Sequence, residues 1–272
     1  MGSLQEMTTE LLTTETDGAV LWITLRQGDK RNPMSSDLIA ALTAALDDAY
    51  CDDAVRCVVL AAEGPVFSAG HDLKELHPRE SEGNDDFEAR VRSILEACAG
   101  LMQGIVSAPK PVIACVQGTA TAAGCQLVSA CDLAIAASAA HFCTPGVNVG
   151  AFCTTPLVGI GRNLSRKHAM EMALTGDMFS ADEAVKFGLI NRHVPGDMLR
   201  QETSALAHKI ASRSAESIRG GKAAFYRQVE MPLAQAFDYA NDVMLAGVTG
   251  SADAQEGRQA FIEKRTPVWK HR

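Results

Sequence analysis

The stretch PVIACVQGTATAAGCQLVSACDLAIA, residues 111–136, decides the fold. Its apolar start, Pro111–Val116, is typical of a buried β-strand, and Leu133–Ala136 is strand-like again. Between them, small residues lead into a predicted helix, Ala123–Ala130. The first turn of such a helix presents unpaired N–H groups and the positive end of the helix dipole, which suit an oxyanion or a phosphate. A helix that only packs closely through its alanines and glycines fits the same pattern.

Strand-like and helix-like segments alternate through the first half of the chain. Ala19–Leu25 and Val55–Leu60 read as strands. Ser36–Tyr50 and Phe87–Ile105 carry apolar residues at helical spacing, and Ser35 or Ser36 is a plausible N-cap for the first of them. This alternation predicts an α/β architecture.

From about residue 165 the pattern is helical throughout, and no Gly/Ser-rich linker separates it from the first half. The helical part is therefore expected to dock on the strand-containing part. The charged stretch Pro78–Glu88 predicts a mobile loop. The predicted helices are Met170–Thr175, Ala181–Phe187, Met198–Ser212, Ser214–Val229, Leu233–Val248 and Ala254–Lys264.

Composition limits the possible partners. The chain has 272 residues and a net charge of −8, which argues against nucleic acid or an anionic membrane as the main partner. No stretch approaches the roughly 20 apolar residues of a membrane span. The N-terminal residues show no pattern typical of a secretory signal or a transit peptide. After Gly2-Ser3, Glu6 stands where a myristoylation signal would have Ser or Thr, so lipidation is not expected either. The eight cysteines form no C-x-x-C pair or zinc spacing, so we expect reduced, buried thiols in a cytoplasmic protein.

A second segment, VFSAGHDL at residues 66–73, follows the strand that ends near Leu60. Its Ala69-Gly70 pair permits a turn that leaves a backbone N–H facing a cleft, although a purely structural turn fits equally well. FSAGHDLKEL (67–76), followed by the residues of 111–136, resembles the enoyl-CoA hydratase/isomerase family, the crotonases. MEMALTGDMFSADEAVKFGLINRHV (170–194) and AFIEKRTPVW (260–269) resemble its later segments, so the resemblance covers roughly residues 15–270.

The resemblance implies a crotonase-type spiral of ββα units with a C-terminal helical trimerisation region. The spiral core would span residues 1–195 and the helical region residues 196–272. The backbone N–H groups of His71 and Ala123 would hold the thioester carbonyl of an acyl-CoA. Coenzyme A would enter as part of the substrate, with no permanently bound cofactor and no metal, and the chain would assemble with itself as a homotrimer or hexamer.

By this resemblance, the chain lacks the two glutamates of the family's hydratases. Gln126 stands at the position three residues after the second oxyanion donor, and Gly146 stands at the position after the proline. Neither can act as the acid or base that hydration needs. His71 can titrate near neutral pH, while Cys153 and Thr154 lie in a segment where relatives place further catalytic groups. Each of these three also has an ordinary structural interpretation.

The resemblance also implies where coenzyme A would lie. Lys30 and Arg31 would flank its diphosphate and adenine. Ala69, Asp72 and Leu73, in the turn that follows the strand ending near Leu60, would line the adenine pocket. Phe261 and Lys264 would approach coenzyme A from the last helix, either of the same chain or of a neighbouring subunit.

The sequence leaves three functions open. In the first, the chain would be an enzyme that stabilises a thioester enolate in acyl-CoA or fatty-acid metabolism, nominally an enoyl-CoA hydratase/isomerase. Alternatively it is a non-catalytic acyl-CoA-binding or regulatory protein. An acyl-CoA decarboxylase or thioesterase is the third, because these reactions need fewer acid and base groups than hydration does.

Overall fold

The computed structural model describes residues 9–271, so the sequence predictions on Gly2, Ser3 and Glu6 fall outside the described residues. This part of the chain forms ten strands and ten α-helices. The strands are β1 (Leu12–Asp17), β2 (Val20–Leu25), β3 (Cys57–Ala62), β4 (Val66–Ser68), β5 (Val112–Val116), β6 (Thr119–Thr121), β7 (Leu133–Ala137), β8 (His141–Cys143), β9 (Phe179–Ser180) and β10 (Arg192–Val194). The helices are α1 (Ser36–Cys51), α2 (Asn84–Ser107), α3 (Ala123–Ala130), α4 (Pro156–Asn163), α5 (Arg166–Thr175), α6 (Ala181–Phe187), α7 (Leu199–Ala211), α8 (Ala215–Gln228), α9 (Leu233–Gly250) and α10 (Ala252–Glu263).

The strands form two sheets that the chain visits alternately. The larger sheet has the order β1-β2-β3-β5-β7-β10, and the smaller has the order β4-β6-β8-β9. Three times in succession a strand of the larger sheet is followed by a short strand of the smaller one and then by a helix: β3-β4-α2, β5-β6-α3 and β7-β8-α4. Within each sheet the strands of these three units pair in parallel. The predicted spiral of ββα units is confirmed.

Both faces of the larger sheet are buried, which explains why its strands read as continuous apolar runs. Val58 and Leu60 of β3 face a large cluster that includes residues of α1, α2 and α3. Cys57 and Val59 face the opposite cluster, which contains Leu199, Ala207 and Ala211 of α7. The helical half therefore docks on the sheet through α7, as predicted.

The first helix begins where the sequence placed it. The Ser35 hydroxyl accepts a hydrogen bond from the Leu38 N–H at 3.2 Å, which satisfies one of the free donors of the first turn. Leu38, Leu42 and Leu46 then fall on the buried face. The cap and the apolar spacing thus fix both the start of α1 and the face that it buries.

Two sequence predictions were wrong. The region after residue 165 is not purely helical, because β9 and β10 interrupt it and β10 pairs in parallel with β7. The stretch Pro78–Glu88 is not simply a loop, because α2 begins at Asn84 within it. Arg90 from this helix holds the preceding segment through a bidentate contact with Glu82, with donor–acceptor distances of 2.6 and 2.7 Å.

Helix α8 is fastened to the sheet by a largely buried ion pair. The Lys222 ammonium lies 2.7 Å from an Asp132 carboxylate oxygen, and the two side chains are only 6% and 15% exposed. Lys222 also donates to the carbonyls of Ile105 and Lys110, and the Tyr226 hydroxyl donates to Asp132. A single ammonium thus joins α8, the end of α2 and the loop before β5.

No helix within residues 9–271 is long and apolar enough to cross a membrane.

Replacing Lys222 with Met should lower the free energy of unfolding by about 3 kcal/mol, because the Asp132 carboxylate would keep its burial and lose its cation. Urea denaturation followed by circular dichroism measures this loss. Lys186→Met is the control, since its ion pair with Asp182 is exposed and joins residues within one helix. Equal effects of the two substitutions would contradict the anchoring role of Lys222.

Candidate functional site

The candidate site forms where the end of β4 meets the start of α3. The two segments touch backbone to backbone: a Cβ placed on Gly124 would lie 2.4 Å from the Ser68 carbonyl oxygen. A Cβ on Gly118 would lie 2.1 Å from the Pro65 carbonyl oxygen. Side chains larger than hydrogen at these two positions would force the segments apart, which is why the sequence is rich in small residues here.

The turn at Gly70 brings the two predicted carbonyl-binding groups together. Gly70 has a φ of +85°, and a Cβ there would lie 2.9 Å from the Ala122 Cβ and 3.2 Å from the Ala123 nitrogen. His71, the next residue, therefore lies beside the first turn of α3. Within residues 9–271 neither the His71 N–H nor the Ala123 N–H has a hydrogen-bond acceptor. Two unpaired backbone donors at a helix N-terminus suit a developing negative charge on oxygen.

Ala122 holds this start of α3 in a strained conformation. Its φ of 48° and ψ of −118° lie in a region that is ordinarily restricted to glycine. Its N–H donates to the Cys143 carbonyl at 3.0 Å, so pairing with the end of β8 fixes the peptide that precedes Ala123. The Ala123 nitrogen lies next to the turn at Gly70, 3.2 Å from a Cβ placed on that glycine.

Ala122→Gly should therefore raise the free energy of unfolding, by about 1 kcal/mol, because glycine adopts this conformation without strain. Differential scanning calorimetry measures the change. In Ala223→Gly, at an exposed position inside α8, the same chemical change should lower stability by about 1 kcal/mol. A destabilised Ala122→Gly variant would show that the strain at residue 122 is absent.

The His71 side chain is held beside the same turn. Its Nδ1 lies 3.3 Å from the Met34 carbonyl oxygen, and this contact requires Nδ1 to carry the proton. Nε2 is buried and has no partner among the described residues. Burial lowers the pKa of His71 against the opposing effects of the Met34 carbonyl and Glu75, so the ring is neutral at neutral pH with a free basic nitrogen.

The predicted coenzyme-binding loop joins this turn directly. Arg31 and Asn32 both have positive φ, and the Arg31 carbonyl accepts the Ala69 N–H at 3.0 Å. Lys30 and Arg31 are exposed, as are Ala69 and Leu73, while Asp72 is half-buried. The structure thus brings together the five residues that were predicted from the first half of the chain.

Asn32, the third residue of the predicted Lys30-Arg31-Asn32 loop, fixes this loop through contacts that the sequence did not predict. It is fully buried, and its amide donates to the carbonyls of Glu63 and Val66 at 2.9 and 2.8 Å. The backbone carbonyl of Asn32 accepts a hydrogen bond from the Ser68 hydroxyl at 2.8 Å. The signal available in the sequence was Asn32 before Pro33, a pair typical of turns. These bonds hold the Lys30-Arg31 loop against the Ser68–Gly70 turn.

The two residues predicted from the last helix lie elsewhere in the chain's own fold. Phe261 is 86% exposed, and Lys264 ends α10 in a left-handed conformation. Helix α10 packs against α8 and α9. Their place beside coenzyme A therefore stays a prediction, and it requires a neighbouring subunit.

Gln126 and Gly146, which the resemblance aligns with two glutamates of the family's hydratases, are both tightly enclosed. Gln126 is 5% exposed, and its side-chain oxygen has no hydrogen-bond partner among the described residues. Gly146 lies in a short 3₁₀ turn, where a Cβ would lie 3.0 Å from both the nitrogen and the sulfur of Cys153. The thiol of Cys153 accepts the Gly146 N–H at 3.3 Å. A larger residue at 146 would have to push this segment back by a few tenths of an ångström.

The other candidate side chains are neutral or already engaged. Cys153 is buried, and burial raises the pKa of its thiol, so it is a poor nucleophile at neutral pH. The Thr154 hydroxyl donates to the Phe152 carbonyl at 3.2 Å. All eight cysteines, which lie within residues 9–271, are free, and seven are buried. In the same part of the chain no three His, Cys, Asp or Glu side chains cluster as metal ligands.

Comparison with known proteins identifies the class to which this fold and site belong. Residues 15–272 match the family model described as enoyl-CoA hydratase/isomerase, and the chain belongs to this family. It is 42% identical over 262 residues to the mitochondrial enoyl-CoA hydratase domain-containing protein 3 of Rattus norvegicus, a match covering 96% of this chain and 85% of that protein.

Two solved structures agree with this assignment. The crystal structure of the human enoyl-CoA hydratase domain-containing protein 3 superimposes with a TM-score of 0.89 at 41% identity, covering 95% of this chain and 99% of that one. The enoyl-CoA hydratase of Mycobacterium smegmatis gives 0.88 at 42% identity, covering 95% and 98%. A particular likeness to the domain-containing protein 3 subgroup, predicted from AEGPVFSAGHDLKEL (62–76) and FCTPGVNVGAFCTTP (142–156), is confirmed.

Proposed function

We propose that this chain binds an acyl-CoA and stabilises the enolate of its thioester through the backbone N–H groups of His71 and Ala123. The observation that carries the proposal is the close approach of the Gly70 turn to the start of α3, which leaves two unpaired donors side by side. A developing oxyanion would accept a hydrogen bond from each donor. Such donors contribute about 10²–10³ in rate apiece.

Efficient hydration of an enoyl thioester is not part of the proposal. Adding water requires a base for the water proton and an acid for the α-carbon, and each contributes about 10²–10⁴ in rate. Gln126 cannot titrate, and Gly146 carries no side chain. His71 Nε2 is the one unpaired basic nitrogen that the described part of the site places next to the turn, so His71 is the residue that we assign to any proton transfer.

A non-catalytic acyl-CoA-binding or regulatory role is the second candidate. The specific observation in its favour is that Gln126 and Gly146 stand at the two positions where the resemblance places the hydratase carboxylates. The thiol of Cys153, which accepts the Gly146 N–H, is buried and neutral. Decarboxylation or thioester hydrolysis would also use the carbonyl site with fewer proton-transfer groups. The compartment stays open: the cytoplasm is predicted from cysteine usage, whereas the rat relative is named as mitochondrial.

Saturating acyl-CoA should raise the melting temperature of the protein. At 100 times its dissociation constant, a ligand that binds only the folded state adds about 2.7 kcal/mol of stability. A thermal-shift series over butyryl-, octanoyl- and palmitoyl-CoA measures this effect, with free coenzyme A as the control for contributions from the nucleotide alone. No shift with any acyl chain length would refute the proposal.

The same samples distinguish an enolate-stabilising site from a hydratase. Crotonyl-CoA hydration, followed by the loss of its ultraviolet absorbance, should be slower than in a two-glutamate hydratase by about 10⁴ or more, since two factors of at least 10² are missing. Any residual rate should disappear in His71→Ala. Robust hydration that survives this substitution would place the chemistry elsewhere.

The C-terminal helices offer a surface for self-association. Phe237, Met244 and Val248 of α9 are 63%, 68% and 41% exposed in the single chain. A stripe of large apolar side chains in water is unfavourable, and burying it against another copy would remove that cost. We propose that this face lies between subunits of a homotrimer or of a hexamer built from two trimers.

Multi-angle light scattering at micromolar concentration should give the mass of three or six chains. Phe237→Glu with Met244→Glu should lower that mass, because two charges would then be buried in the contact. Gln235→Glu, at an exposed polar position of the same helix, is the control and should leave the mass unchanged. A wild-type mass of one chain would contradict the proposed assembly.

A further inference from the structure

The position of the proton on the His71 ring depends on a single contact. Nδ1 lies 3.3 Å from the Met34 carbonyl oxygen, whereas Nε2 has no partner among the described residues. In a neutral imidazole one nitrogen carries the proton and the other is basic. The Met34 carbonyl can only accept a hydrogen bond, so it keeps the proton on Nδ1 for as long as it stays beside the ring. Whatever holds this carbonyl in place therefore determines which nitrogen is basic.

The segment that carries the Met34 carbonyl is fastened to the turn at Gly70 by backbone and side-chain bonds. The N–H of Met34, a fully buried residue, donates to the Gly70 carbonyl at 2.8 Å, and Met34 forms an isolated parallel bridge with His71. Two residues further on, the N–H and the hydroxyl of Ser36 both donate to one carboxylate oxygen of Glu75, each at 2.8 Å. The Glu75 carboxylate thus closes the far end of the contact that contains the Met34 carbonyl.

Glu75 is itself fixed relative to His71. Its N–H donates to the Asp72 carbonyl at 3.0 Å, which closes the turn between residues 72 and 75. Its own carbonyl accepts a hydrogen bond from the Arg90 guanidinium of α2. The half-buried Glu75 therefore joins α1 to α2 and lies one short, hydrogen-bonded turn away from His71. A displacement of Ser36 from Glu75 would free the segment that ends at Met34.

A carboxylate at the start of a helix also has an ordinary structural role. The N–H of Ser36 is one of the free donors in the first turn of α1, and a negative charge there stabilises a helix. Such a cap would contribute to the stability of α1 and would leave the His71 ring unaffected. The two roles therefore differ in a property that can be measured on the ring itself.

We propose that Glu75 is a positioning residue, whose bonds to Ser36 hold the Met34 carbonyl against His71 and thereby keep Nε2 as the basic nitrogen. Within residues 9–271 the Glu75 carboxylate makes no hydrogen bond to the ring, so it acts through the segment between Met34 and Ser36. The inference rests on the proposed function, in which His71 carries any proton transfer. It adds the group that determines which nitrogen of His71 does so.

Magic-angle-spinning NMR of protein labelled with nitrogen-15 in its seven histidines tests the inference without a ligand. The spectra are recorded at neutral pH, where burial, by lowering the pKa of His71, keeps the ring neutral. The signals of His71 are those that disappear in His71→Ala. The wild type should show one His71 tautomer, with Nδ1 protonated. Glu75→Ala should show both tautomers, and Glu75→Gln should restore the single one because its amide oxygen can accept from Ser36.

Ser36→Pro removes both donors to Glu75 from the opposite side. Proline is well tolerated at the first position of a helix, and Ser35 already has the extended backbone that a following proline favours. This variant should therefore keep α1 and still show both His71 tautomers. Glu80→Ala, at an exposed acidic position of the same segment, is the control and should keep the wild-type spectrum.

A folded Glu75→Ala or Ser36→Pro variant with the Nδ1-protonated tautomer alone would overturn the inference and leave Glu75 as a cap of α1. A mixture of tautomers in the wild type or in Glu80→Ala would overturn it as well. Melting curves establish that each variant is folded, and Ser36→Pro decides the question if Glu75→Ala does not fold. These spectra need no acyl-CoA, so they are independent of the thermal-shift series, in which the proposed function itself succeeds or fails.

Discussion

The candidate site depends on the backbone-to-backbone contact between the Ser68–Gly70 turn and the first turn of α3. No side chain larger than hydrogen fits at Gly124, where a Cβ would lie 2.4 Å from the Ser68 carbonyl oxygen. Gly70 must adopt a positive φ, and Ala122 accepts strain. The two sheets hold these segments in place, because β4 and β6 pair in parallel and Ala122 bonds to the end of β8. The unpaired N–H groups of His71 and Ala123 are a direct consequence.

Around this contact, the backbone donors proposed for carbonyl binding are separate from any side chain that could transfer a proton. The donors belong to the main chain, so they remain whatever side chains surround them. The positions that would supply acid and base hold an amide and a glycine, and neutral thiols lie beside them. In the proposed site, the one buried basic nitrogen without a partner among the described residues is Nε2 of His71.

The sequence predicted well those features that depend on local patterns. The helices Ala123–Ala130 and Ala181–Phe187 end where they were predicted to end, because small-residue runs and capping residues mark their limits. Strand β10 was not predicted, because it has only three paired residues and their partners in β7 lie more than fifty positions earlier in the chain. The positive φ of Ala122 could not be predicted from the sequence, since alanine ordinarily favours the helical conformation. The contacts of Asn32 were equally hidden, because they join segments some thirty residues apart.

If two backbone donors polarise a bound thioester carbonyl, the carbonyl carbon itself reports on them. Butyryl-CoA labelled with carbon-13 at the carbonyl carbon, observed by NMR free and bound, tests the claim directly. Two strong hydrogen bonds withdraw electron density from that carbon, so its resonance should move downfield on binding. The shift should persist in Gln126→Leu and in His71→Ala, which leave the main chain in place. A bound ligand whose carbonyl resonance does not move would show that the His71 and Ala123 N–H groups do not bind the thioester carbonyl.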